Sequence, residues 1–171
     1  MARFHWLPLL VAALALTGCA GYQLGPTNGA TAGARTVQIM PFSNQTLEPR
    51  LSETVTTEMR REVQRDGTFK LASQDEADII VTGVIVNYGR VPLAFQPTDA
   101  LTATDYSVRM AAMVTARERR TGKLLLNNQR VSGSTLVVVG QDLTSAERQA
   151  LPLLAVDFAR NATSLLANPP W

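Results

Sequence analysis

From Tyr106 to Ala116 every second residue is apolar. Tyr106, Val108, Met110, Ala112, Val114 and Ala116 point one way, while Asp105, Ser107, Arg109, Thr115, Arg117 and Arg119 point the other. A period of two belongs to a strand with one dry and one wetted face. Further upstream the period changes to four: Leu51, Val55, Met59 and Val63 recur while Glu53, Glu58, Arg61, Glu62 and Arg65 fall elsewhere. That is the stripe of an amphipathic helix. A chain that holds both patterns must lay helices on a sheet, because each element has one apolar surface to cover.

The remaining elements follow from the same two periods. "TVQIMPF", residues 36–42, reads as a strand stopped by Pro41, Pro49 opens the helix, and Asp66-Gly67 closes it. "TFKLAS" gives a short strand. Residues 77–90 give a longer one, with Ile79, Val81 and Ile85 on one face and Ile80, Val84 and Val86 on the other, so both faces are expected to be partly covered. Residues 91–104 contain Pro92 and Pro97, which cannot donate to a ladder, and are expected to form a loop or irregular edge. Thr121-Gly122 predicts a hairpin into "KLLLNNQRVSGSTLVVV", whose outward face carries Arg and Asn. Thr144 to Glu147 fits a capping box. Leu151, Leu154, Ala155, Phe158, Ala162, Leu165 and Leu166 then make a helical stripe that Pro152 either kinks or truly begins. The expected fold is α+β: a single layer of about four mainly antiparallel strands with two helices packed on one face. It forms one domain over residues 36–168, followed by a short tail, 169–171.

The N-terminus has a different character. Met1-Ala2-Arg3 precedes an apolar run from Trp6 to Leu16, interrupted only by Pro8. This run is shorter than the ~20 residues a spanning helix needs and has the form of a signal peptide. It ends at Leu16-Thr17-Gly18-Cys19, which resembles the bacterial lipobox, in which the Cys sulfur is acylated and becomes the first mature residue. The expectation is that residues 1–18 are cleaved and that 19–35 form a lipid-anchored tether. Ordinary secretion with a free Cys19 is the alternative. "GPTNGATAGAR", residues 25–35, lacks both an apolar period and the Gly-Lys-Ser/Thr of a phosphate loop. Ala20, rather than Asp, after the Cys favours the outer membrane by resemblance to proteobacterial lipoproteins. Cys19 is the only cysteine, so no disulfide is available and stability must come from a core.

Composition narrows the chemistry. His5 is the only histidine and lies in the segment expected to be removed, which leaves no imidazole for a triad or a metal. Asp75, Glu76 and Asp78 are the densest carboxylates and read as a solvated turn. Ser-Lys catalysis would need Lys70 or Lys123 buried beside a serine, whereas both flank strand ends near turns. No enzyme activity, cofactor or metal is expected. The net charge of +2 and the scarcity of aromatics argue against nucleic acid. Binding remains: Arg109, Arg117, Arg119, Arg120, Lys123 and Arg130 cluster on or near the predicted hairpin, where they could contact phosphates or simply form a solvated face that discourages edge pairing.

"CAGYQLG", residues 19–25, and above all "IMPFSNQTLEPRLSETVTTEMRREVQRDGTFKL", residues 39–71, resemble the lipopolysaccharide-assembly lipoproteins of the LptE family. Ala77-Asp78, Gly83 and Thr121-Gly122-Lys123 continue the resemblance. It implies a two-helix, four-stranded fold anchored on the periplasmic side of the outer membrane. It also implies a place in the lumen of the lipopolysaccharide-inserting β-barrel (LptD-like) and binding of lipopolysaccharide through basic residues, here Arg109, Arg130, Lys123 and Arg117. Residues 91–104 would then touch the barrel. A scaffold or pilot lipoprotein that does not act on lipopolysaccharide, or a periplasmic hydrolase, are the competing readings.

Overall fold

The computed structural model describes residues 33–73, 76–138 and 142–168. The signal segment, Cys19, most of the tether, Asp75 and the tail 169–171 lie outside these residues. The elements run β1 (Arg35–Ile39), β2 (Ser43–Asn44), α1 (Leu51–Asp66), β3 (Phe69–Leu71), β4 (Ile79–Gln96), β5 (Asp99–Glu118), β6 (Leu124–Val138) and α2 (Leu143–Ala167).

The α+β class stands, with six strands in the sheet in place of the expected four. They are ordered β3-β1-β4-β5-β6, and β2 pairs with β4. The long strands are antiparallel, β4 with β5 and β5 with β6. By contrast β1 runs parallel to β3 and β4, as does β2 to β4. The parallel pairs follow from connectivity: β1 reaches its neighbour β3 through α1, and a strand that returns by a helical crossover lies parallel to the first.

The largest departure is in residues 91–104. They continue β4 and β5 as a two-stranded ribbon, paired from Ile79↔Glu118 out to Gln96↔Asp99, with register shifts gathered between Pro92 and Gln96. Above Ile85 no described strand pairs with the other side of β4. Pro92 therefore sits on an edge, where a missing N–H is tolerated. The turn itself is at Pro97-Thr98.

Local signals set the element ends. Gly67, at φ +74°, caps α1 and donates its N–H to Val63 O. Asp142, rather than a Thr144 capping box, caps α2: its carboxylate accepts from the Thr144 and Ser145 N–H groups. These bonds, with that of the Ser145 hydroxyl first, hold its pKa below the usual carboxylate value. Pro152 lies inside α2, nine residues after its start, and does not begin the helix.

Both helices cover one face of the sheet, and their stripes are buried as expected: Leu51, Val55, Met59 and Val63 from α1, and Leu154, Ala155, Phe158 and Ala162 from α2. Two glycines set how closely they approach. A Cβ on Gly83 of β4 would lie 2.1 Å from the Phe42 ring, and one on Gly133 of β6 would lie 2.7 Å from the backbone N of Phe158 and 2.9 Å from Leu154 O. Phe42 and Phe158 meet edge to face, with centroids 5.8 Å apart. The Phe42 N–H donates to Thr56 Oγ1 at 3.0 Å, and its carbonyl accepts from the Ser52 hydroxyl, which ties it to α1. At the start of the β1–β4 pair, Asp78 latches β1: its Oδ2 accepts from Thr36 N–H at 2.8 Å and from the Thr36 hydroxyl at 2.9 Å. The free edge of β6 is screened by α2, because Asp157 accepts from Ser134 N–H and Asn161 donates to Ser132 O.

Gly133→Ala should destabilise the protein by about 2 kcal/mol, the cost typical of overpacking against a backbone that cannot retreat. Gly89→Ala, whose Cβ would meet nothing within 4 Å, should be near neutral. Urea unfolding midpoints of the two variants would check this.

Candidate functional site

The other face of the sheet carries no helix among the described residues, and it is here that the predicted basic residues must be located. Strict alternation along β6 would set Arg130 on the same side as Leu126, which is buried. The ladder avoids this by slipping: Ala116 pairs with Leu126, but Val114 pairs with Gln129. The slip is made at Asn127-Asn128, where Asn128 takes φ +47° and donates its N–H to Thr115 Oγ1 at 3.2 Å. A bulge reverses the facing of every residue beyond it. Val131 is then buried opposite Ala112, and Arg130 emerges opposite Met113 on the open face. A second slip in β4, between Ile85 and Asn87, does the same for the ribbon.

The open face can be read as a series of cross-strand rows. Arg109 stands between Gly89 and Ser134, and its Nε–H donates to Ser107 Oγ at 3.1 Å, which holds the guanidinium with its outer N–H groups free to reach solvent. Arg130 lies four residues back along the neighbouring strand, roughly 14 Å away at ~3.4 Å per residue. Arg117, opposite Leu124, is eight residues from Arg109, or about 27 Å by the same rise. Lys123 lies in the turn beyond it. The four basic residues expected to act together therefore divide into two groups: Arg109 and Arg130 in mid-sheet, Arg117 and Lys123 at the end where β1 begins.

Above Arg109 the face turns apolar. Val91, Phe95, Leu136 and Val138 are all exposed, and Leu93 and Leu101 project from the same ribbon. The reading of residues 91–104 as a loop concealed this band. Its signal was the "TLVVV" run, whose facing depends on the bulge.

The ribbon is fastened at its base on the helix side. Arg90 pairs with Glu147 of α2 at 2.9 Å and lies over the Tyr106 ring, 5.8 Å from its centroid. Beside it, burial, together with the Glu147 and Glu48 carboxylates, pushes the Tyr88 hydroxyl up to about 12. Nothing in the sequence marked Arg90 and Glu147 as a pair, because they stand 57 positions apart. A cleft of about 310 Å³ opens here between Glu48, Arg50, Tyr88, Glu147 and Arg148. Its mixed charges and its position off the open face make it part of the fastening. Arg109 and Arg130 stand on an open sheet face, which suits a large or amphiphilic partner better than a small molecule.

Of the carboxylates, Asp78 is engaged by Thr36, whose backbone N–H, first, and hydroxyl lower its pKa. Among the described residues no three His, Cys, Asp or Glu side chains gather to hold a metal. Nor is any helix among them long and apolar enough to cross a membrane.

Above about pH 10, where an unfolded tyrosine ionises, folded Tyr88 should remain protonated until about pH 12, so stability should decline across that interval. Glu147→Gln removes one of the charges that raise it and should bring its titration closer to 10, as followed by tyrosinate absorbance.

The family model for lipopolysaccharide assembly, LptE, matches residues 34–164. No curated protein matches the chain. Among solved structures, the chain is similar to the hypothetical protein CT253 from Chlamydia trachomatis, at 11% identity over 80% of this chain and 96% of that one, with TM-score 0.56. It is also similar to protein XCC0632 from Xanthomonas campestris, at 8% identity over 85% and 91%, TM-score 0.53. A minor lipoprotein from Acinetobacter baumannii follows at 10% identity over 78% and 92%, TM-score 0.51. At such identities the likeness is one of fold.

Proposed function

Since this chain belongs to the LptE family of lipopolysaccharide-assembly proteins, we propose that it is a non-catalytic assembly factor of the outer membrane. In this reading it is held by an acylated Cys19, fits inside an LptD-like β-barrel that inserts lipopolysaccharide, and touches lipopolysaccharide phosphates with Arg109 and Arg130. The observation that carries the reading is the family match across nearly all of the described domain.

The geometry supports it in three respects. A rigid two-layer wedge with one charged, helix-free face suits the polar interior of a large barrel. Arg109 and Arg130 are exposed on adjacent strands, and Arg109 is already oriented by Ser107, so less freedom is lost when a phosphate is gripped. The ribbon of β4 and β5 extends past the helices with apolar side chains exposed and both strand edges unpaired among the described residues, as a contact element for a barrel wall would. Arg117 and Lys123, about 27 Å from Arg109 or farther, belong to a different contact.

Arg109→Glu with Arg130→Glu should weaken binding to lipopolysaccharide by about tenfold or more per arginine, as expected for lost charge-assisted bonds, while the unfolding midpoint stays within the range of surface substitutions. Unchanged affinity in a lipopolysaccharide binding assay would reject the pair as the site. Cys19→Ala should abolish palmitate labelling and copurification with the outer-membrane barrel; an acylation-independent complex of full yield would reject the anchor.

A further inference from the structure

The two arginines of the open face are held apart. The Ser107 Oγ that accepts from Arg109 Nε–H lies to one side of Arg109 along β5, whereas Arg130 stands opposite Met113, on the other side. Ser107 is only 8% exposed, so packing fixes its hydroxyl and the hydroxyl in turn draws the guanidinium away from Arg130. The two Cα positions are already roughly 14 Å apart. A phosphate must come within about 3 Å of the nitrogens that donate to it, so one phosphate cannot engage both arginines while the Ser107 bond is kept. Between them the face is low and hydroxylated. Ala111 pairs with Ser132 in the intervening row, and Ser134 stands opposite Arg109. Ser132 and Ser134 are exposed, and their hydroxyls have no partner among the described residues. It is their backbone groups that tie β6 to α2, through Asn161 and Asp157. The nearest acids on this side, Asp105 in the row beyond Ser107 and Asp157 at the β6 edge, pair with neither arginine.

We propose that this stretch is a bed for one saccharide that bears two phosphates, the first gripped by Arg109 and the second by Arg130. The sugar rings lie over Ala111, and their hydroxyls meet those of Ser132 and Ser134. The inference rests on the reading of Arg109 and Arg130 as lipopolysaccharide contacts. It deepens that reading by naming what they recognise, which is the separation of two anions on one headgroup rather than negative charge alone. Each guanidinium offers a planar fork to its own phosphate, and Ser107 acts as a positioning residue that sets the spacing. A phospholipid, with a single phosphate on a short glycerol, fills only one end of the bed.

The test measures binding of the full chain, in detergent, to lipopolysaccharide whose lipid-bearing disaccharide carries a phosphate at each end, and to the same molecule with one of those phosphates removed. The native protein should prefer the two-phosphate form by about tenfold, as expected for one charge-assisted contact. Arg109→Gln and Arg130→Gln, made separately, should each erase that preference, because either arginine alone can hold only one phosphate; the coupling between ligand and side chain is read as in a double-mutant cycle. Ser107→Ala should reduce the preference while the unfolding midpoint stays close to that of the native protein, since Arg109 is then free to lean towards Arg130. Phosphatidylglycerol should compete no better than the one-phosphate form. Equal affinity for the two forms, with each arginine substitution weakening both alike, means that the arginines share one phosphate and overturns the proposal while leaving the site reading intact. Phosphatidylglycerol competing as well as the two-phosphate form also overturns it. Binding that neither substitution weakens overturns the site reading and this proposal with it.

Discussion

Phe42 and Phe158 touch edge to face across the middle of the core, each seated where a glycine leaves the sheet bare. Much of the architecture depends on this contact. Phe42 comes from the stretch between β1 and β2 and is bonded through its backbone to Ser52 and Thr56 of α1. Phe158 lies on α2 directly over β6. Their ring contact joins the first half of the chain to the last, and an aromatic pair of this kind adds about 1 kcal/mol beyond the area it buries. Gly83 and Gly133 matter because they remove the Cβ atoms that would push the helices outward. The cost in strand propensity is offset by the packing gained.

Once both helices are committed to one face, the other face is left open by default. What stands on it is decided by two slips in the ladder. The Asn127-Asn128 bulge turns Arg130 outward while returning Val131 to the core, and the slip after Ile85 turns Val91 outward and Tyr88 inward. Without the first, an arginine would be driven under α2, where an unpaired charge is prohibitively expensive. Thr115 makes the bulge affordable by satisfying the Asn128 N–H.

The molecule therefore has two dissimilar ends joined by a long, stiff hairpin. At one, the incoming chain, Arg117, Arg120, Lys123 and Leu124 crowd together. At the other, apolar side chains extend beyond the helices on a ribbon fastened at its base by Arg90 and Glu147. In the proposed setting the apolar end belongs to a protein wall, with Arg109 and Arg130 short of it on the open face.

Legible in the sequence were the strand and helix types outside residues 91–104, the core stripes of α1 and α2, the glycine stop at Gly67, the β5–β6 turn and the basic character of one hairpin. Each of these is settled by neighbours within a few residues, through side-chain period or backbone φ. It also carried the family signature in residues 39–71. The tertiary structure alone decided that β1, β3 and β4 are parallel, that residues 91–104 are strands despite Pro92 and Pro97, and that Arg109 and Arg130 share a face while Arg117 and Lys123 stand apart. Those outcomes depend on register between strands distant in sequence. Adding or removing one bulge residue reverses every side chain beyond it, and no local pattern records where the partner strand will slip.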